Sequence, residues 1–367
     1  MCGHEVEIFT TCAVDHRTWR NELPAGVERH GLLRVHRFPV IERELGVHGE
    51  LDRALTAGFA LSADEELLWL RHGVSSEAME EALSSRADRV DAVIALPYLH
   101  GTTYFAYRAC PARTLLIPCL HDEPFAYRLF VREMLSGARG LLFNTGAEAR
   151  LAERICGDLA PSAVVGLGLD PPAEPARLAR RFRRRSDPPS LLYVGRREAG
   201  KNTPLLTDYF MRYKHRRPGP LRLLLAGSGD PVPAHPDISE FRPDWSRPYE
   251  VFRRGTVFCL PSTNESLSIV LLRAWLSRRP ALVHGRCEVA REHCERSNGG
   301  LWFTSYAEFE EVLDRLLASP ELRAALGANG EAYVLREYSW PAVLDRFHAA
   351  MRRFVDVSVS ADLTGTR

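Results

Sequence analysis

The stretch PSTNESLSIVLLRAWLSRRPALVHG, Pro261 to Gly285, reads as a turn, an apolar helix and a short buried strand in direct succession. Pro261 to Asn264 carries turn residues, and the apolar spacing starts a helix near Ser266. The free N–H groups of Ser266, Leu267 and Ser268 would then sit at a helix N-terminus, where phosphate or sugar oxygens bind. Glu265 stands beside them, able to accept from hydroxyl groups. Arg273 follows eight residues later, about 12 Å along a helix axis and roughly 80° around it. On that geometry the two side chains touch opposite ends of one elongated ligand.

Working outward, the strand–helix alternation of this stretch repeats along the whole chain. Strands are predicted at Glu5–Thr11, Leu32–Val40, Asp91–Leu99, Arg113–Leu120, Gly140–Asn144 and Ala163–Leu169, with helical patterns at Ala63–Ser84, Pro124–Ser136 and Ala147–Cys156. A second series has strands in SLLYVG (Ser190–Gly195), LRLLLAGSGD (Leu221–Asp230), GTVFCLPS (Gly255–Ser262), PALVHG (Pro280–Gly285) and GGLWF (Gly299–Phe303), then helices at Glu308–Ala318, Glu321–Leu335 and Pro341–Phe354. Strands apolar on both faces and separated by helices indicate doubly wound parallel sheets. The fold class is therefore α/β, with two Rossmann-like domains and a ligand near the strand C-termini. The expected division is 1–170, a linker at 171–189, 190–340, and a C-terminal helix and tail at 341–367 that packs back on the first domain. The chain opens almost directly on a strand, so a first strand–loop–helix is expected to be missing from the first domain.

Net charge is +1 in 367 residues, so no global field draws the chain to nucleic acid. Lysine occurs only at Lys201 and Lys214, which singles out Lys201 among many arginines. Six arginines lie between Arg177 and Arg185 in the linker. They read as a solvated helix face, with attraction to a membrane surface as the other reading. No apolar run of about 18 residues is present, so no membrane-spanning segment is expected. The eight cysteines form no CxxC pair and read as free thiols of a reducing cytoplasm. His284, Cys287, His293 and Cys294 offer zinc-type ligands, but their spacing fits no common zinc motif, and no metal site is expected.

After the strand LLYVG, Gly195 and Arg196 stand at its C-terminal end with Lys201 five residues on. Two cations there suit a diphosphate, the arginine as a fork and the lysine as a point charge. In AGSGD, Gly227 allows a ligand close to the backbone. In the first half, CLHDEP places His121 and Asp122, and LPYLHGTTY places His100, just past strand ends, where a histidine can carry a proton or donate to a substrate. A solvated loop is the plainer reading of the cations, and a structural role the plainer one of each histidine. A nicotinamide-dependent dehydrogenase would share the architecture, but no GxGxxG followed by an acid is present.

These residues resemble the donor-binding half of glycosyltransferase family 4, whose members are retaining enzymes of the GT-B fold. The resemblance rests on YVGR…K, AGSGD, LPSTNESLSIVLLRAW and RPALVHGRCEVAREHCERSNGG, and more loosely on GHEVEIFT, CLHDEP and LLFNTGAEARLA in the first half. It implies transfer of a sugar from a nucleotide-diphosphate sugar to an acceptor such as a sugar, a lipid or a natural product, with retention and without a metal or other cofactor. Arg196 and Lys201 match the diphosphate-binding pair, and Glu265 the first acid of the EX7E motif. The amides of Ser266 to Ile269 match those that hold sugar and phosphate, and His121 matches the histidine near the reaction centre. Gly195 and Gly227 fall on the donor side, His100 and Asp122 on the acceptor side. The setting implied is a bacterial cytoplasm, with peripheral contact at the inner membrane as a further expectation.

Arg273 departs from the pattern. It replaces the second acid of EX7E, which holds ribose hydroxyls, and an arginine has only donors. The lost bonds correspond to about 1–3 kcal/mol of donor affinity. Leu267–Ser268 stand where phenylalanine–glycine is frequent. Two readings follow: an active glycosyltransferase, or a degenerate relative that binds a sugar nucleotide or a partner without turnover.

Overall fold

A computed structural model describes residues 4–16, 18–173 and 187–355. The six arginines of Arg177–Arg185, and with them most of the expected linker, lie outside the described residues. The chain divides into two compact units. The first comprises 1–143, 148–164 and 347 onward, and the second comprises 144–147 and 165–346.

In the first unit, strands β1 (Glu7–Thr11), β2 (Gly26–His30) and β3 (Leu33–Phe38) form one sheet in the order β1-β3-β2. Helices α1 (Leu45–Thr56), α2 (Ala63–His72) and α3 (Glu77–Ser84) follow. A second sheet, all parallel in the order β4-β5-β6-β7, has strands β4 (Val93–Ala95), β5 (Thr114–Leu116), β6 (Gly140–Phe143) and β7 (Ser162–Val164). Its connections are α4 (Gly101–Ala109), α5 (Leu129–Gly137) and α6 (Gly146–Cys156).

Several sequence expectations change here. β2 is unpredicted and pairs antiparallel with β3. Each of its five residues is exposed, so it carries no apolar signal. The single helical pattern at Ala63–Ser84 is two helices. α2 stops at Gly73, and Ser76 restarts the chain by accepting from the Met79 amide at 3.4 Å. Helices α1 and α4 were also missed.

The second unit has six parallel strands in the order β10-β9-β8-β11-β12-β13. They are β8 (Ser190–Val194), β9 (Arg222–Ala226), β10 (Ile238–Phe241), β11 (Val257–Leu260), β12 (Ala281–His284) and β13 (Gly300–Phe303). Between and after them run α7 (Thr203–Arg216), α8 (Pro248–Arg253), α9 (Ile269–Leu276), α10 (Glu288–Ser297), α11 (Tyr306–Ala318), α12 (Pro320–Glu337) and α13 (Trp340–Phe354). β8, β11 and β12 are buried along their whole length, as strands covered by helices on both faces must be. Strand order reverses between β8 and β11, so the loops after these two strands diverge and leave a crevice at their C-terminal ends. α13 begins in the second unit, and from Phe347 it belongs to the first, where Phe354 packs on Gly140 and accepts from Arg139.

Among the described residues no helix is long and apolar enough to cross a membrane, and the seven cysteines form no disulfide.

Candidate active site

The crevice at the end of β8 and β11 holds a cavity of about 270 Å³. Gly195 and Lys201 line it from the loop after β8; Ser262 and Glu265 to Ser268 line it from the loop after β11; Ile269 and Val270 close it from α9. Inside it Lys201 Nζ lies 2.9 Å from Glu265 Oε1, with the lysine side chain 25% exposed and the glutamate 11%. One of the three ammonium protons is engaged, which leaves two for a ligand, and the carboxylate keeps most of its acceptor sites. A mostly desolvated charge pair of this kind presents a cation and an acceptor side by side.

The helix start differs from expectation. α9 begins at Ile269, three residues after Ser266, and Ser268 takes a left-handed turn at φ 62° to enter it. The Ser268 carbonyl accepts from Leu271 and Leu272 at 3.0 and 3.3 Å, so the amides left without an intrahelical acceptor are those of Ile269 and Val270. The periodicity of an apolar run does not reveal a left-handed residue at its head. Glu265 therefore stands in the loop, four residues before the helix, and the helical geometry drawn between it and Arg273 does not apply. Arg273 lies in the second turn of α9, half-buried and outside the cavity lining. Its charge acts on the phenol of Tyr249, whose hydroxyl donates to the Asp170 carbonyl.

The loop from Pro261 to Ser268 is tied at four successive places. Asn202 Nδ2 donates to the Pro261 carbonyl at 3.0 Å. Lys201 holds Glu265, Thr145 Oγ1 donates to the Ser266 carbonyl at 3.1 Å, and His293 Nε2 lies 3.0 Å from the Leu267 carbonyl. Two hydroxyls of the loop, Ser262 Oγ and Ser268 Oγ, are buried without a hydrogen-bond partner. Thr145, Ser262 and His293 were not singled out as site residues. Thr145 lies inside the segment LLFNTGAEARLA, and the sequence marks His293 only as a zinc-type ligand. Cys287 lies close enough to feel both charges of the Lys201–Glu265 pair, and burial pushes its thiol up to about 12.

The other sequence candidates sit elsewhere. Arg196 is exposed and pairs with Glu198 at 3.2 Å, off the cavity lining. Its neighbour Arg197 is the buried one, bonded to the carbonyls of Gly227 and Asp230 and to Glu240 at 2.7 Å. Gly227 was expected to admit a ligand to the backbone. It instead admits the neighbouring loop, because a Cβ there would stand 2.0 Å from the Gly195 carbonyl oxygen. Gly227 lines a second hollow of about 270 Å³ with Arg197, Glu240 and Phe241.

His100, His121 and Asp122 belong to the first unit. The loops that carry them are laced by Tyr98, whose amide donates to the Pro118 carbonyl at 2.9 Å and whose hydroxyl donates to Glu123 at 2.7 Å. His100 precedes α4, and burial lowers its pKa. Asp122 accepts from the Tyr127 hydroxyl at 2.6 Å. Among the described residues no group of three His, Cys, Asp or Glu side chains could hold a metal. The His284–Cys294 cluster does not converge: His284 Nδ1 accepts from the Arg286 amide, and His293 turns to Leu267 and Tyr333.

Residues 176–333 match the family model described as Glycosyl transferases group 1. The matched residues fall within the second unit. A curated relative, the alpha-D-kanosaminyltransferase of Streptomyces kanamyceticus, is 27% identical over 188 residues, 45% of this chain and 46% of the relative. The chain thus spans about half the length of the curated relative it matches. Among solved structures, the alpha,alpha-trehalose 6-phosphate synthase of Burkholderia multivorans superposes with a TM-score of 0.69 at 13% identity, covering 95% of this chain and 98% of that one. A trehalose-6-phosphate structure from E. coli, bound with UDP-2-fluoro glucose, gives 0.67 at 13% identity, with 95% and 92% covered. At such identities the likeness is one of fold, and the fold is GT-B-like. The matched residues contain the crevice, the Lys201–Glu265 pair and α9.

Proposed function

We propose that the protein is a retaining glycosyltransferase of family 4 that moves a sugar from a uridine-diphosphate sugar to an acceptor, without a metal. The observation that carries this reading is the Lys201–Glu265 pair, 2.9 Å apart in the crevice at the N-terminus of α9. A departing diphosphate needs fixed positive charge where its own negative charge develops, and preorganised donors supply it without reorganisation. Lys201 and the free amides of Ile269 and Val270 are such donors. Glu265 is the acceptor for hydroxyls of the transferred sugar. The match to the group 1 family model supports the transferase class, and the UDP-2-fluoro glucose held by the E. coli structure supports a uridine donor. His121 is proposed to contact the transferred sugar near the reaction centre, His100 and Asp122 to serve the acceptor side, and Arg196 the diphosphate.

A second reading, nucleotide-sugar binding without turnover, draws on Arg273, which stands where the family resemblance expects an acid. Thermal unfolding of the purified chain with UDP, GDP, ADP, CMP and their sugars tests donor binding. UDP at 100 times its Kd is expected to add about 2.7 kcal/mol, with a clear rise in midpoint. No shift with any nucleotide would sink the donor assignment. Binding of UDP-glucose with no release of UDP, in the presence of a panel of sugar and lipid acceptors, would favour the second reading.

A further inference from the structure

α10 passes beneath the loop after β11 and buries His293 to 1% exposure. Nothing in the proposed chemistry uses this ring, yet both of its nitrogens are engaged. Nε2 lies 3.0 Å from the Leu267 carbonyl, and Nδ1 lies 3.0 Å from the Tyr333 hydroxyl on α12. A carbonyl can only accept, so Nε2 carries the proton and Nδ1 accepts from Tyr333. The ring of Tyr338, just past α12, packs edge-on against Tyr333, with ring centroids 5.8 Å apart. The result is a directed chain in which Tyr333 donates to His293 and His293 to Leu267. Trp275 of α9 closes it edge-on, with its own Nε1 donating to the Gly299 carbonyl at 2.8 Å.

We propose that His293 is a positioning residue for the crevice: it clamps the Leu267 carbonyl and so holds the turn that presents Glu265 to Lys201 and the amides of Ile269 and Val270 to a ligand. Leu267 sits between Glu265 and Ser268, whose left-handed turn is intrinsically disfavoured and persists only while its surroundings hold it. The clamp is buried, so its hydrogen bonds do not compete with water. The binding consequence rests on the donor-site reading given above, and the loop consequence does not.

The test uses the full chain with His293→Leu, His293→Gln and Tyr333→Phe, each read two ways. Hydrogen exchange over 261–272 reports the loop with no ligand added, and calorimetry with UDP reports the site. The amide of glutamine can still donate to Leu267, whereas leucine cannot. For His293→Leu, exchange in 261–272 is expected to rise about tenfold and the UDP Kd to weaken about tenfold, with the strands of the first unit unchanged. His293→Gln should recover both to within about threefold. Native protection of 261–272 in His293→Leu would overturn the proposal. Should His293→Leu fail to fold, Tyr333→Phe decides, since loss of the donor to Nδ1 must loosen the same peptide and no other. If the wild-type chain binds no UDP while the loop loosens with leucine and recovers with glutamine, the donor assignment falls and the clamp stands.

Discussion

Lys201 Nζ and Glu265 Oε1 lie 2.9 Å apart, brought together from loops after different strands, and are the opposite charges lining the crevice of the second unit. Sixty-four residues separate them in the chain. Glu265→Gln keeps the size of the side chain and one acceptor oxygen but loses the charge. Turnover is expected to be abolished with the circular dichroism spectrum unchanged. Undiminished transfer to a competent acceptor would remove Glu265 from the mechanism.

Lys201→Met removes the cation and keeps the apolar stem. Hydrogen bonds to charged groups contribute about 1.5–3 kcal/mol, so UDP binding should weaken at least about tenfold. Calorimetry measures this directly. An unchanged Kd would mean that the diphosphate is held elsewhere, with Arg196 as the next candidate.

Arg273 stands half-buried beside Tyr249, and Arg273→Glu restores an acceptor at its position. If ribose hydroxyls approach this turn of α9, donor binding should tighten by about tenfold. Weaker binding would instead identify the guanidinium as a ligand of the nucleotide.

Gly227 meets the Gly195 carbonyl so closely that an added Cβ would stand 2.0 Å from it. The two loops are also joined by the Gly195 amide donating to Ala226 at 2.9 Å, so neither backbone can yield. Gly227→Ala is expected to cost about 3 kcal/mol in urea unfolding, with φ 140° adding to the strain. A change below about 1 kcal/mol would show that the loops separate readily.

Burial holds His293 down to about 4, below its ordinary 6.5. The folded chain therefore binds this proton less well than the unfolded chain does. The stability contributed is complete above pH 6.5 and is lost as pH falls toward 4, roughly 3 kcal/mol over that interval. Glu292 and Arg296 on α10 face the same ring with opposite effects, and Tyr333 and Tyr338 face it from α12 and beyond. Urea midpoints at pH 7 and 4.5 should diverge more for the wild type than for His293→Gln. Equal slopes would show that the ring takes its proton without penalty.

The sequence by itself determined the α/β class, the six-strand series from Ser190 less β10, and the position of Lys201 and Glu265 at strand ends. Those features are local: apolar runs bury on two faces, and turn residues end them. β2 and β10 were illegible because their residues are largely exposed and carry no periodic contrast. Only the tertiary structure decided which of the adjacent Arg196 and Arg197 turns inward, since Arg197 is drawn to the Gly227 and Asp230 carbonyls by a loop thirty residues away. It also decided that α9 starts at Ile269 and that His293, read as a metal candidate, clamps Leu267. A left-handed residue and a buried hydrogen bond depend on partners distant in sequence, and spacing along one segment does not encode them.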